Sequence, residues 1–171
     1  MSVWVMRIGH RPQRDKRVTT HVLLAARALG ASGAFVDTRD EVLEENVRSV
    51  SERFGGGFSV KTGVRWEDVA KSFEGRVVHL TMYGQRLEEG LSKISEGEDL
   101  LIVVGAEKVP FEVYERADLN ISVGNQPHSE IAALAIFMDR LTAGSALYSD
   151  RGGKMTVIPE ERGKRVEERD P

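Results

Sequence analysis

One short apolar stretch, LLIVV at residues 100–104, constrains the fold of this chain more than any other segment. It is continuous in its apolar character, rich in β-branched residues and bounded by Asp99 and Gly105. Such a run is typical of a central strand in a parallel sheet, where helices cover both faces of each strand. The rest of the chain should therefore alternate helices and strands.

The predicted elements follow that alternation, which indicates an α/β sheet with helices on both faces. Apolar runs predict further strands at 3–8, 34–36, 58–60, 76–80 and 119–123, and a polar loop over 9–17. Helical spacing predicts one helix from Thr19 or Thr20 to Leu29, others at 40–54, 66–73 and 129–141, and one beginning near Pro110. In the charged tail, 151–171, residues 155–158 are predicted as an edge strand, and 162–171 are expected to fray.

Length and composition indicate one domain spanning residues 1–171. The chain has 40% hydrophobic and 30% charged residues, a balance typical of a folded globular protein. It has no cysteine, which excludes disulfides and cysteine nucleophiles and fits a cytoplasmic protein. Arg7 and His10 interrupt the first apolar run, so we expect no membrane segment. Four histidines without a ligand-like spacing predict no metal site.

Positive charge is concentrated at the start of a chain whose net charge is −3. The first 21 residues contain one acid, Asp15, and five basic side chains: Arg7, Arg11, Arg14, Lys16 and Arg17. Because the distribution of charge matters more than its sum, we expect this segment to meet phosphate groups.

Three segments follow predicted strands and carry glycine or polar residues: HLTMYG (79–84), VVGAEKVP (103–110) and VGNQPHSE (123–130). Ligands of open α/β sheets bind beyond the carboxyl ends of the strands, so three neighbouring loops of this kind could form one pocket. Neither a P-loop nor a G-x-G-x-x-G pattern stands at a strand-to-helix junction, which disfavours nucleoside triphosphates and ordinary dinucleotides. The alternative is that these glycines only make turns.

Four segments together resemble a known family: RIGHRPQRDKRVTTHVLLAARALGA, VVHLTMYG, VVGAEKVP and VGNQPHSEIAALAIFMDRL. They look like the archaeal tRNA (cytidine-56) 2′-O-methyltransferases of the SPOUT superfamily, from Met6 to about Arg165. The resemblance implies a SPOUT-type sheet with a C-terminal trefoil knot, a homodimer and S-adenosyl-L-methionine as cofactor. The implied reaction is methylation of the ribose 2′-hydroxyl of cytidine 56 in the T-loop of tRNA.

The resemblance also implies a cofactor-binding set drawn from the three loops. Its members are Leu80, Gly105, Ala106, Glu107, Lys108, Val109, Val123, Gly124, Asn125, Gln126, Pro127, His128, Ser129 and Glu130.

The stretch Asp15 to Gly30 matches the first motif of the wider ribose-methylating branch of the superfamily but departs from its pattern. Val18 and Leu24 stand where that branch has an asparagine and an arginine. Arg17 is therefore the first candidate for the catalytic residue and His21 the second, although Arg17 could be only a phosphate contact and His21 a helix cap. The resemblance and the local charge assign RNA binding to Arg11, Arg14 and Lys16.

Two other functions stay open at this point. The chain could be a knotted methyltransferase with another target nucleotide, or a catalytically silent RNA-binding module of the same fold. The second alternative is motivated by the missing first-motif arginine.

Overall fold

The computed structural model describes residues 1–106 and 108–169. Its main feature is a sheet of six parallel strands: β1 (Val3–Ile8), β2 (Gly33–Val36), β3 (Ser59–Thr62), β4 (Arg76–Arg86), β5 (Leu100–Gly105) and β6 (Leu119–Ser122). The strand order is β3-β2-β1-β5-β4-β6, so β1 and β5 lie at the centre. The predicted central position of LLIVV is confirmed.

Helices cover both faces of this sheet, as the alternating pattern predicts. They are α1 (Pro12–Ala28), α2 (Glu41–Phe54), α3 (Trp66–Ser72), α4 (Leu87–Leu91), α5 (Phe111–Arg116) and α6 (Glu130–Leu141). Strand β5 sends Leu100, Ile102 and Val104 into the apolar cluster that contains α1, α2 and α6. Leu101 and Val103 enter a second cluster with α3 and α5. Full burial of each such side chain stabilises the fold by about 1.5–3 kcal/mol.

Helix α1 begins at Pro12, so the predicted loop over 9–17 and the predicted cap at Thr19 or Thr20 are wrong. Proline suits the first turn of a helix because its missing N–H would have no partner there. The Asp15 carboxylate accepts a hydrogen bond from the Arg11 backbone N–H (3.1 Å) and another from the Arg11 guanidinium Nε (2.8 Å). These contacts close the first turn, and Thr19 lies buried inside the helix.

Strand β4 contains an excursion that the sequence pattern does not predict. Leu80 and Gln85 both pair with Ile121 of β6, so residues 81–84 leave the ladder and return. A Cβ atom on Gly84 would lie 2.6 Å from the carbonyl oxygen of Asn120, which is closer than real Cβ atoms come. Only glycine allows the returning chain to approach β6 this closely.

The C-terminal segment differs from its prediction. Strands β7 (Met155–Ile158) and β8 (Arg165–Glu168) form a separate antiparallel pair, so β7 is not an edge strand of the main sheet. Residues 165–168 are ordered because they pair with β7, and the Arg169 guanidinium binds the Asp150 carboxylate at 2.6 Å. The trefoil knot implied by the resemblance stays a prediction.

Within residues 1–106 and 108–169, no helix is both long and apolar enough to cross a bilayer.

Candidate active site

The excursion within β4 and the turns that follow β5 and β6 border one cavity of about 510 Å³. Small-molecule sites commonly measure about 300–1,000 Å³, so this volume suits a cofactor. Twelve members of the predicted cofactor set line it: Leu80, Gly105, Ala106, Lys108, Val109, Val123, Gly124, Gln126, Pro127, His128, Ser129 and Glu130. The convergence of the three loops, predicted from strand ends, is therefore present.

Asn125 and Glu107 complete the predicted cofactor set. Asn125 is absent from the described lining, and Glu107 lies outside the described residues. Six further lining residues were not assigned to the cofactor set: His79, Thr81, Met82, Tyr83, Tyr114 and Ala133. The first four belong to the HLTMYG segment, so a broader assignment of that segment would have found them.

The last turn is held by its own side chains. Gly124 has φ +78°, a left-handed conformation that favours glycine. Ser129 caps α6, because its hydroxyl accepts a hydrogen bond from the Ala132 N–H at 3.3 Å. The imidazole nitrogens of His128 lie 2.6 Å from the Val123 carbonyl oxygen and 3.0 Å from the Ser129 carbonyl oxygen. These two acceptors raise the pKa of His128.

His79, which also lines the cavity, is buried. Burial lowers its pKa, although the Asn120 side chain at 2.9 Å from Nδ1 acts in the opposite direction. Its ring meets Tyr114 edge to face at 4.7 Å, and the Asn120 amide donates to the Tyr114 carbonyl oxygen at 2.9 Å. His79 therefore positions Tyr114.

A buried ion pair lies beneath the cavity. The Arg7 guanidinium is only 1% exposed and donates to the Glu130 carboxylate at 2.7 Å, while Glu130 itself lines the cavity. The second terminal nitrogen of Arg7, Nη1, is buried without a hydrogen-bond partner within the described part of the chain. Because an uncompensated buried cation is unfavourable, this pair ties the start of α6 to β1.

Polar contacts continue from Arg7 toward α2. The Thr19 hydroxyl lies 3.5 Å from the Arg7 Nε and 2.9 Å from the His10 Nδ1. His10 Nε2 lies 3.0 Å from the Asp40 carboxylate, which also caps α2 by accepting from the Leu43 N–H. Burial acts to raise the pKa of Asp40, but the bonds from His10 and Leu43 lower it below its ordinary value.

The predicted catalytic and RNA-binding cations lie apart from the cavity lining. Arg14, Lys16, Arg17 and His21 are exposed on α1 and form what we call the cationic face of α1. Neither Arg17 nor His21 lines the cavity. Arg11 instead borders a smaller crevice of about 250 Å³, which shares Ala106, Lys108 and Val109 with the cavity.

Comparison with known proteins identifies close relatives. The chain is 53% identical over 172 residues to a tRNA (cytidine(56)-2′-O)-methyltransferase of Methanothrix thermoacetophila, covering 99% of both chains. It is 55% identical over 164 residues to the protein of that name from Picrophilus torridus. That match covers 96% of this chain and 48% of the relative, so the chain spans about half the length of some relatives.

The fold also matches a solved structure. The SpoU methyltransferase AviRb from Streptomyces viridochromogenes, in complex with the cofactor AdoMet, superposes with a TM-score of 0.57. The match covers 83% of this chain and 57% of the other at 17% identity, so it shows a shared fold.

Residues 54–167 match the family model described as tRNA ribose 2′-O-methyltransferase, aTrm56. This match covers most of the chain, and relatives above 50% identity extend it to nearly every residue. The chain therefore belongs to the aTrm56 family of tRNA ribose 2′-O-methyltransferases.

Proposed function

We propose that this protein transfers a methyl group from S-adenosyl-L-methionine to the ribose 2′-hydroxyl of cytidine 56 in tRNA. The observation that carries the proposal is one cavity, bordered by the β4 excursion and the ends of β5 and β6, which collects most of the predicted cofactor set. Relatives above 50% identity are named for this reaction, and AviRb holds the same donor.

The residues of the cavity fit this donor chemically. Leu80, Ala106 and Val109 offer apolar surface for an adenine ring, and the turn at Gly124 brings backbone close to a ligand. Lys108 suits the donor's carboxylate and Glu130 its ammonium group. Asn125 and Glu107 stay in the proposed set as neighbours of lining residues in the same two loops.

When bound, S-adenosylmethionine supplies a methyl group already activated on a sulfonium. The protein therefore needs no covalent nucleophile, and its main task is to align the ribose oxygen, which can contribute up to about 7–11 kcal/mol in ideal cases. Arg17 would hold the adjacent phosphate and favour the developing negative charge on the oxygen, and His21 would accept the proton. Arg11, Arg14 and Lys16 would contact further phosphates.

A homodimer is part of this proposal, and exposed apolar side chains on two neighbouring helices support it. Ile136 on α6 is 43% exposed and Val18 on α1 is 39% exposed, and the two helices are in contact. A second copy packed on this surface would bury apolar area that one chain leaves in water. The proposal has Arg17 and His21 act at the partner's donor cavity, because they do not line the cavity of their own chain.

Three expectations belong to the same proposal: one domain over residues 1–171, a trefoil knot around the donor, and action in the cytoplasm, where tRNA is modified.

The test is incubation of an unmodified tRNA transcript with the methyl-labelled donor, followed by mapping of the methylated nucleoside. We expect one 2′-O-methylcytidine at position 56, and no product from a transcript with uridine there. Methylation elsewhere would assign another target. Donor binding or RNA binding without any transfer would identify a silent module.

A further inference from the structure

Three aromatic side chains, Tyr83, Phe111 and Tyr114, form what we call the aromatic rim. Tyr83 and Tyr114 line the donor cavity, and Phe111 stacks against Tyr114. Tyr83 is 79% exposed and Phe111 is 70% exposed. Large aromatic rings contribute most to stability or binding when they are buried. Their exposure beside a cavity therefore indicates a surface that a ligand covers.

Hydrogen bonds through Thr81 and stacking between two of the rings hold the aromatic rim in place. The Tyr83 N–H donates to the Thr81 hydroxyl at 3.4 Å, and that hydroxyl lies 3.0 Å from the Tyr114 hydroxyl. The Phe111 and Tyr114 rings have centroids 6.1 Å apart and an interplanar angle of 21°. The excursion in β4 and helix α5 are thereby linked, and the exposed rings face outward from a supported base.

Exposure alone does not indicate a binding surface. Tyr148 is 90% exposed and does not line the cavity, so an isolated exposed tyrosine occurs elsewhere in this chain. The rim differs because two of its members belong to the wall of the proposed donor site and the third is stacked on that wall.

We propose that the aromatic rim stacks the base of the target nucleotide, and this inference rests on the proposed function. The base and the ribose that accepts the methyl group are parts of one nucleotide, so the base must lie at the cavity mouth when the 2′-oxygen meets the donor. Unstacked RNA bases are commonly bound by stacking on aromatic side chains. A second protein copy seated on the rim would instead obstruct the entry of the substrate.

The experiment uses Tyr83→Ala and Phe111→Ala, with Tyr148→Ala as the matched control. Full-length tRNA carries a fluorescent cytidine analogue at position 56, whose emission falls when the base stacks. Wild type should quench this emission and each rim variant should lose quenching. Stacking on one aromatic ring predicts about a 5- to 150-fold rise in the KM for tRNA. Donor affinity should match wild type in Phe111→Ala, because Phe111 does not line the cavity, and Tyr148→Ala should match wild type in every measurement.

Two further variants keep the test independent of folding. Phe111→Trp retains an aromatic face and should retain quenching, whereas Phe111→Leu retains apolar surface and should lose it. Equal quenching by Phe111→Leu and wild type overturns the inference, as does an unchanged KM in both alanine variants. Sedimentation velocity tests whether a second protein copy covers the rim instead of the base. A shift to monomer in the rim variants would assign the rim to that second copy.

The methylation assay with wild-type protein and unmodified tRNA tests the proposed function independently of the rim variants. A wild-type protein that methylates no tRNA overturns both proposals. A wild type that methylates cytidine 56, with rim variants equal to it, overturns the stacking proposal alone.

Discussion

The donor cavity and the cationic face of α1 are built in different ways. The cavity lies at the β4 excursion and the ends of β5 and β6, and its walls are held by contacts such as Arg7–Glu130 and His79–Asn120. The cationic face lies on one helix, at residues that are exposed. The proposed donor side of the site is therefore formed by the described residues of one chain, whereas the proposed acceptor side depends on what docks against α1.

The largest effect should come from breaking the Arg7–Glu130 ion pair, which supports the cavity wall. Glu130→Ala leaves the buried Arg7 charge without its carboxylate, which should reduce the free energy of unfolding by about 3–5 kcal/mol and weaken donor binding. Chemical denaturation and donor titration measure the two losses. The control is Glu89→Ala, which removes the side chain of an exposed glutamate.

The double variant Arg7→Met with Glu130→Ala sharpens this result. It removes both charges and keeps most of the volume, so stability should return toward wild type while donor affinity stays low. No recovery of stability would contradict the ion-pair explanation.

On the cationic face, Arg17→Ala should act on turnover and leave the cavity intact. Loss of a group that stabilises developing negative charge lowers kcat by about 10²–10³-fold. Donor affinity should be unchanged because Arg17 does not line the cavity of its own chain. Steady-state kinetics and donor titration separate the two quantities, with Arg53→Ala on α2 as the control. Equal turnover would remove Arg17 from the mechanism.

A smaller effect is expected for Lys16→Ala. If Lys16 neutralises one phosphate, log K for tRNA binding should become less dependent on log salt by about one unit of slope. Binding isotherms at several salt concentrations measure this slope. A slope equal to wild type would exclude Lys16 from the RNA interface.

The smallest effect is a pH dependence of the turn at 123–130. The pKa of His128 is raised because the carbonyl oxygens of Val123 and Ser129 accept from its ring. Its stabilising contribution is therefore complete below the ordinary histidine pKa and is lost as pH rises through the folded value. Hydrogen exchange of the turn amides, corrected for intrinsic rates, should show protection falling over that window. His128→Phe should remove the dependence, and an unchanged profile in that variant would contradict this assignment.

Features that depend on local pattern were predictable. The continuous apolar run LLIVV and the glycine-containing loop segments are patterns of residues close in sequence, so the α/β class and the three converging segments followed from them. The predicted start of α1 was wrong because the polar run at 9–17 was interpreted as a loop. Pro12 and the Arg11–Asp15 contacts instead favour a helix there.

By itself, the sequence determined the layered α/β architecture, the family and most of the residues that line the donor cavity. Only the tertiary structure decided that Arg7 lies beneath Glu130, 123 positions away, and that Tyr114 joins Tyr83 at the rim. It also decided that residues 165–168 pair with β7. The physical reason is that local patterns record which face a residue buries, whereas partners distant in sequence are chosen by how strands and helices pack in space.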